Sequence, residues 1–267
     1  MSKTISFVTF GLFFVATLSG FIVVLAYHPS HAFESVQKIS YLIPFGLFFR
    51  KLHYFSSEAF MIFLLLHVMI ELSKKKINID SFSWNYSVVG VVLVIILMFS
   101  GFVLKGDLSA NAAAQVAFNL IKDTPILKLF LPLIKDSTVL YYKFFIWHIL
   151  FLPLFLAYAI YKHIKFFQIK ALYLSIAIGI SAFAMMIFNM PKDIVLSAKV
   201  KNLESPWFFI GAENLLSNSF SPLFINIILF IPFVLLVLYF YTKQKNLVKM
   251  LLIFWLLAYS YISVFSL

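Results

Sequence analysis

The sequence predicts an all-α integral membrane protein of about seven transmembrane helices. Two observations carry this. Of 267 residues, 63% are hydrophobic and only 12% charged, whereas ordinary soluble domains carry about 25% charged residues. Seven apolar stretches recur along the chain, each near the roughly 20 residues that a bilayer core requires. The net charge of +11 comes almost wholly from lysine, since Arg50 is the single arginine. In so apolar a chain such charge sets orientation and gives no reason to invoke nucleic acid.

The first stretch, 5–27, is too long for a signal-peptide apolar core and lacks a small-residue cleavage site, so it reads as a helix. The others are 46–72, 86–104, 144–166, 171–189, 222–242 and 248–266. No short-period repeat is visible. Lys3, Lys74, Lys75, Lys76, Lys162, Lys165, Lys170, Lys243, Lys245 and Lys249 fall on one side if seven spans alternate. That side is expected to be cytoplasmic, with the N-terminus inside and the C-terminus outside. The connector 105–143 is too long for a plain loop. Ser109 to Ile121 and Ile126 to Ile134 read as short amphipathic helices, interrupted at Thr124-Pro125. The connector 190–221 carries Pro191 and Pro206 beside Trp207-Phe208-Phe209. It reads either as an aromatic anchor at the membrane surface or as a lid over an outer pocket.

Two stretches carry histidines in matched pairs. His53 and His67 are fourteen residues apart, 40° short of four full turns, so both leave nearly one face about 21 Å apart along the axis. His148 and His163 are fifteen apart, 60° past four turns. Both helices run from outside to inside. His53 therefore pairs with His148 in an outer layer, and His67 with His163 in an inner one. Two opposed imidazoles suit the axial positions of a haem iron, and histidine within a membrane span is costly unless used. The expected cofactors are two b-type haems. The chain has no cysteine, which excludes disulfides, thiolate metal sites and covalent haem attachment within it.

On particular motifs the chain resembles the cytochrome b family of Rieske-type quinol:cytochrome c oxidoreductases. The motifs are Ala26-Tyr27-His28-Pro29, Phe33-Glu34-Ser35-Val36-Gln37, Arg50-Lys51-Leu52-His53, Lys143-Phe144-Phe145-Ile146-Trp147-His148 and His148-Ile149-Leu150-Phe151-Leu152-Pro153. The fifteen-residue spacing of His148 and His163 is that of the photosynthetic-like branch. The resemblance implies a haem-binding four-helix domain over 1–170, followed by a three-helix domain over 171–267. It implies the same four ligands. It also implies that Arg50 and Lys143 meet outer haem propionates, and that Gly11, Gly20, Gly90 and Gly101 let porphyrin approach the backbone.

The departures from the family are specific. Where the family has Pro-Glu-Trp-Tyr at its outer quinol pocket, this chain has Ser205-Pro206-Trp207-Phe208, preceded by Glu204. Where the family has Pro-Trp-(Gly/Asp)-Gln, it has Lys105-Gly106-Asp107-Leu108. Glu204 and Trp207 are the candidate quinone residues. Glu58, 140° around the helix from His53, is a further candidate for proton handling, because an intramembrane carboxylate is a functional candidate by default.

The expected role is electron transfer across a bacterial cytoplasmic membrane. It would link a quinol/quinone pool to a Rieske protein or a c-type, possibly multihaem, cytochrome, within a complex that the resemblance suggests is dimeric. The alternative is a haem-binding anchor without quinone chemistry. A transporter is disfavoured by the paired histidines and the lack of broken inverted repeats.

Overall fold

The computed structural model describes residues 2–74, 79–122, 124, 139–164, 170–198 and 206–264. Among them the structure is helical. Ten helices follow in order: α1 (Ser2–Val24), α2 (Ala32–Tyr41), α3 (Gly46–Ser73), α4 (Ser81–Val103), α5 (Leu108–Lys122), α6 (Leu140–Ile164), α7 (Ala171–Ile187), α8 (Ile210–Ser217), α9 (Pro222–Tyr241) and α10 (Lys245–Val264). Helices suit an apolar chain because each backbone N–H and C=O finds its partner within the segment, where lipid offers none. Six are long and apolar enough to cross a membrane: α1, α3, α4, α6, α9 and α10. The seventh apolar helix, α7, is shorter at 17 residues. It stops at Ile187 where Phe188 turns extended (ψ 144°), ahead of Pro191.

The chain divides into two compact units. Residues 1–98 with 145–192 form one, and residues 99–144 with 193–267 the other. In the first, α1 lies along α3, and α7 packs against both. Leu12, Val94, Leu156 and Ala177 meet in its core, together with Phe13, Phe60 and Met61. Gly11 allows the α1–α7 approach: a Cβ there would stand 3.1 Å from both the Ala177 Cβ and the Tyr173 carbonyl oxygen.

The corner between α2 and α3 is tight. Phe45 takes a left-handed conformation (φ 60°), and a Cβ on Gly46 would overlap the Ile39 carbonyl oxygen. This corner brings Arg50 of α3 to α2, where its Nη1 donates to Ser40 Oγ at 2.7 Å. The sequence motifs reached into α2 without indicating a helix. It starts just after Pro29, and its ten residues bury Ala32, Ser35, Val36, Ile39 and Ser40.

In the second unit the expected 109–121 helix forms as α5. The expected 126–134 helix lies outside the described residues. The segment Lys105-Gly106-Asp107 is a clasp. Gly106 has φ 66°. Asp107 is fully buried. Its Oδ1 accepts from the Ala110 N–H at 2.8 Å, capping α5. Its Oδ2 accepts from the Ile194 N–H at 3.1 Å and lies 3.0 Å from Lys105 Nζ. The Leu108 N–H returns a bond to the Ile194 carbonyl. One carboxylate therefore ties the two long connectors together.

Candidate functional site

The structure brings the four histidines together in the expected couples. The ring centres of His53 and His148 are 6.2 Å apart with planes crossing at 90°; those of His67 and His163 are 6.2 Å apart, crossing at 77°. With a metal–nitrogen bond of about 2 Å and a ring nitrogen about 1.1 Å from its own ring centre, one iron between two axial imidazoles would set the ring centres about 6 Å apart. Both couples have that spacing.

The fifteen-residue interval in α6 is reconciled with the fourteen-residue interval in α3 by a π-helical segment, Trp147–Phe151. Here the Leu152 N–H donates to the Trp147 carbonyl five residues back. A π turn amounts to one residue inserted into an α-helix. It takes up the extra residue and leaves His148 and His163 on the same 40° stagger as His53 and His67. Pro153 follows directly; it has no N–H to give the Ile149 carbonyl.

Each imidazole has a backbone or hydroxyl partner away from the opposing ring. His53 Nδ1 lies 2.8 Å from the Ala16 carbonyl oxygen, and His67 Nδ1 lies 3.2 Å from Ser6 Oγ. His163 Nδ1 is 3.4 Å from the Ser83 carbonyl, and His148 bonds the backbone at Leu97. Helix α1 thus steadies both rings of α3, while α4 steadies both rings of α6. Such partners fix which ring nitrogen is left for a metal and hold the ring's orientation. For His53, His67 and His163 that nitrogen is Nε2. These supports escaped sequence reasoning because three of the four are main-chain groups, which carry no residue signature. Ser83 is itself held by Asp80, whose Oδ1 caps α4 through the Ser83 N–H at 2.8 Å.

The other candidates fall as follows. A Cβ on Gly20 would lie 2.9 Å from His53 Cε1 and 3.1 Å from its Nδ1, so this glycine makes room for the imidazole itself. Gly90 is buried, and a Cβ there would make an ordinary contact with Leu156 Cδ1 at 3.9 Å. Gly11 serves helix packing, as described above, and Gly101 lies in the last turn of α4. Arg50 is one turn before His53 on α3 and bonded to Ser40. Lys143 is five residues before His148 on α6. Glu58 is half-buried on α3. Trp207 is 44% exposed and packs edge-on against Phe208. The Phe208 carbonyl accepts from Tyr259 Oη at 2.8 Å, and Phe209 lies against Phe99. Glu204 lies outside the described residues.

Comparisons with known proteins bear on the family and the fold. A family model described as cytochrome b/b6/petB matches residues 3–172. The cytochrome b of Plasmodium vivax (strain Salvador I) is 28% identical over 165 residues, which cover 59% of this chain and 42% of that protein. The chain thus matches 42% of the length of this curated relative. Among solved structures, a chain of a hyperthermophilic respiratory Complex III superposes with a TM-score of 0.72 at 17% identity. The match covers 99% of this chain and 83% of that one. At that identity the likeness is one of fold.

Proposed function

Because the chain belongs to the cytochrome b family, we propose that it holds two non-covalent b-type haems and moves electrons across the membrane. His53 and His148 would bind the outer haem, His67 and His163 the inner one. The observation that carries this reading is the pair of opposed imidazole couples, each with ring centres 6.2 Å apart. When bound, each haem supplies a one-electron carrier. The protein's own part is to present neutral imidazole nitrogens and to fix their rings through Ala16, Ser6, Leu97 and Ser83. Its apolar helices exclude water, which tunes potential. Arg50 and Lys143 would offset outer propionate charge, since buried carboxylates need cations.

The electrons would pass between a quinol/quinone pool and a Rieske or c-type, possibly multihaem, cytochrome in a larger complex. The solved relative is named as a respiratory Complex III, which supports a multisubunit setting. Trp207, Glu204 and Glu58 remain the proposed quinone and proton residues. The lysine distribution supports a bacterial cytoplasmic membrane with the N-terminus inside.

The test is redox-difference spectroscopy on the purified protein. Two b-type signals are expected, with His148→Ala removing one and His163→Ala the other; a protein that takes up no haem overturns the reading. A second reading, a haem-binding anchor without quinone chemistry, is favoured by one observation: no glutamate stands between Pro206 and Trp207. Reduction of the haems by added quinol in native membranes would decide for the first reading, and its failure for the second.

A further inference from the structure

Helices α1 and α3 pack antiparallel in one register. Gly20 sits against His53, Phe13 against Phe60 with ring centres 5.6 Å apart, and Ser6 against His67. Moving fourteen residues along α3, from His53 to His67, therefore moves the register fourteen residues back along α1, from Gly20 to Ser6. The outer layer has no side chain at this place. A Cβ on Gly20 would lie 2.9 Å from the His53 ring, whose Nδ1 lies 2.8 Å from the Ala16 carbonyl oxygen. The inner layer fills the equivalent place with a half-buried serine, and Ser6 Oγ lies 3.2 Å from His67 Nδ1. Of the four rings, His67 is the one supported by a side chain. Ala16, Leu97 and Ser83 serve the others through the main chain.

Resting on the haem reading above, we propose that Ser6 is a positioning residue that sets the electron-donating strength of His67, and with it the potential of the inner iron. With Nε2 on the metal, His67 Nδ1 carries the ring proton and donates it to Ser6 Oγ. A hydroxyl oxygen has two lone pairs, so it accepts from the ring whatever its own proton does. An acceptor at Nδ1 draws the ring proton outward and raises the basicity of the nitrogen on the metal, which favours the oxidised iron. The effect follows the quality of the acceptor, since hydrogen bonds weaken with length and poor alignment. The residue at position 6 therefore grades it. Main-chain carbonyls persist through any substitution at their own residue, whereas this support is removed by one change of side chain. Ser6 acts through His67 alone, and no covalent bond forms or breaks in this role.

The experiment is an equilibrium redox titration of the haem-loaded protein at one fixed pH, followed by visible spectroscopy, for wild type, Ser6→Ala, Ser6→Thr and Thr9→Val. The inner signal is identified as the one missing in His163→Ala. Ser6→Ala keeps the Cβ and removes the acceptor. The inner site's preference for oxidised over reduced iron should fall about tenfold, which raises its midpoint by about 59 mV, the one-electron constant for that factor. The outer signal and the haem content should not change. Ser6→Thr keeps the hydroxyl and should hold the wild-type midpoint. Thr9→Val removes a hydroxyl from the same seam, one that reaches the Phe63 carbonyl at 3.4 Å and no histidine, and should move neither signal. If Ser6→Ala does not retain the inner haem, Ser6→Cys decides: a thiol is a poorer acceptor of similar size, and a raised inner midpoint is expected. Three results overturn the proposal: an inner midpoint unmoved in whichever of these variants assembles, a shift shared by both signals, or a shift as large in Ser6→Thr or Thr9→Val. In each, two haem signals keep the underlying reading intact. Absence of haem from the wild type overturns that reading instead.

Discussion

A single methyl group at position 20 would stand 2.9 Å from the His53 ring, closer than van der Waals contact permits. Gly20→Ala should therefore displace that imidazole from its bond to the Ala16 carbonyl. The expected result is loss of the outer haem alone, seen as a fall from about two haems per chain to about one by haem extraction. Gly11→Ala should instead weaken α1–α7 packing and leave haem content unchanged. Asp107 poses a different test. Asp107→Ala would strand the Ala110 and Ile194 N–H groups and the Lys105 ammonium. Removing one member of a buried ion pair costs about 3–5 kcal/mol; here the partner Lys105 keeps 18% exposure, so about 2–3 kcal/mol is expected. Thermal unfolding in detergent would measure it. At this scale the histidine couples were legible because helical arithmetic places them without knowledge of the fold. Gly20 was read as room for porphyrin; the structure adds that a Cβ there would meet the His53 imidazole. The Asp107 clasp was visible only as a departure from a family motif, because its distant partner is a main-chain N–H, that of Ile194, 87 residues away.

Between residue and fold, helix α6 holds two intervals in register by means of its π turn. Inserting one alanine between Ala157 and Tyr158, beyond the π turn, would rotate His163 by about 100° relative to His148. The inner haem should be lost and the outer one kept. Deleting Leu150 within the π turn would convert it to α-helical geometry with a fourteen-residue interval, and both haems should remain. Haem content and reduced spectra of the two variants distinguish the outcomes. The sequence showed the unequal intervals, fourteen and fifteen, but not how they were reconciled. A π turn leaves no composition signature beyond the proline that follows it. The short helices α2 and α8 were likewise missed. Eight to ten residues supply too few turns for a clear apolar period, and their place is set by contacts with the long helices.

For the whole molecule, the apolar stretches located every spanning helix because a bilayer imposes both length and composition. The proposed orientation is open to a clean test, since the chain has no cysteine. His31→Cys and Ser73→Cys stand at opposite ends of the first unit. A membrane-impermeant thiol reagent applied to intact cells should label the first and spare the second; the reverse pattern would invert the topology. Helix α7 joins the unit that contains the histidine helices, a grouping that depends on the Gly11 contact and that no hydropathy profile contains. The crossing of the imidazole planes, 90° in one layer and 77° in the other, has a consequence for magnetism. Were the proposed haems held between these couples, rings crossed in this way would leave two d orbitals of an oxidised low-spin iron nearly equal in energy, whereas parallel rings would split them. Frozen samples of the oxidised protein should accordingly give strongly anisotropic electron paramagnetic resonance, with one low-field feature from each layer, and a mutation that turns either ring should narrow the spread of that layer alone.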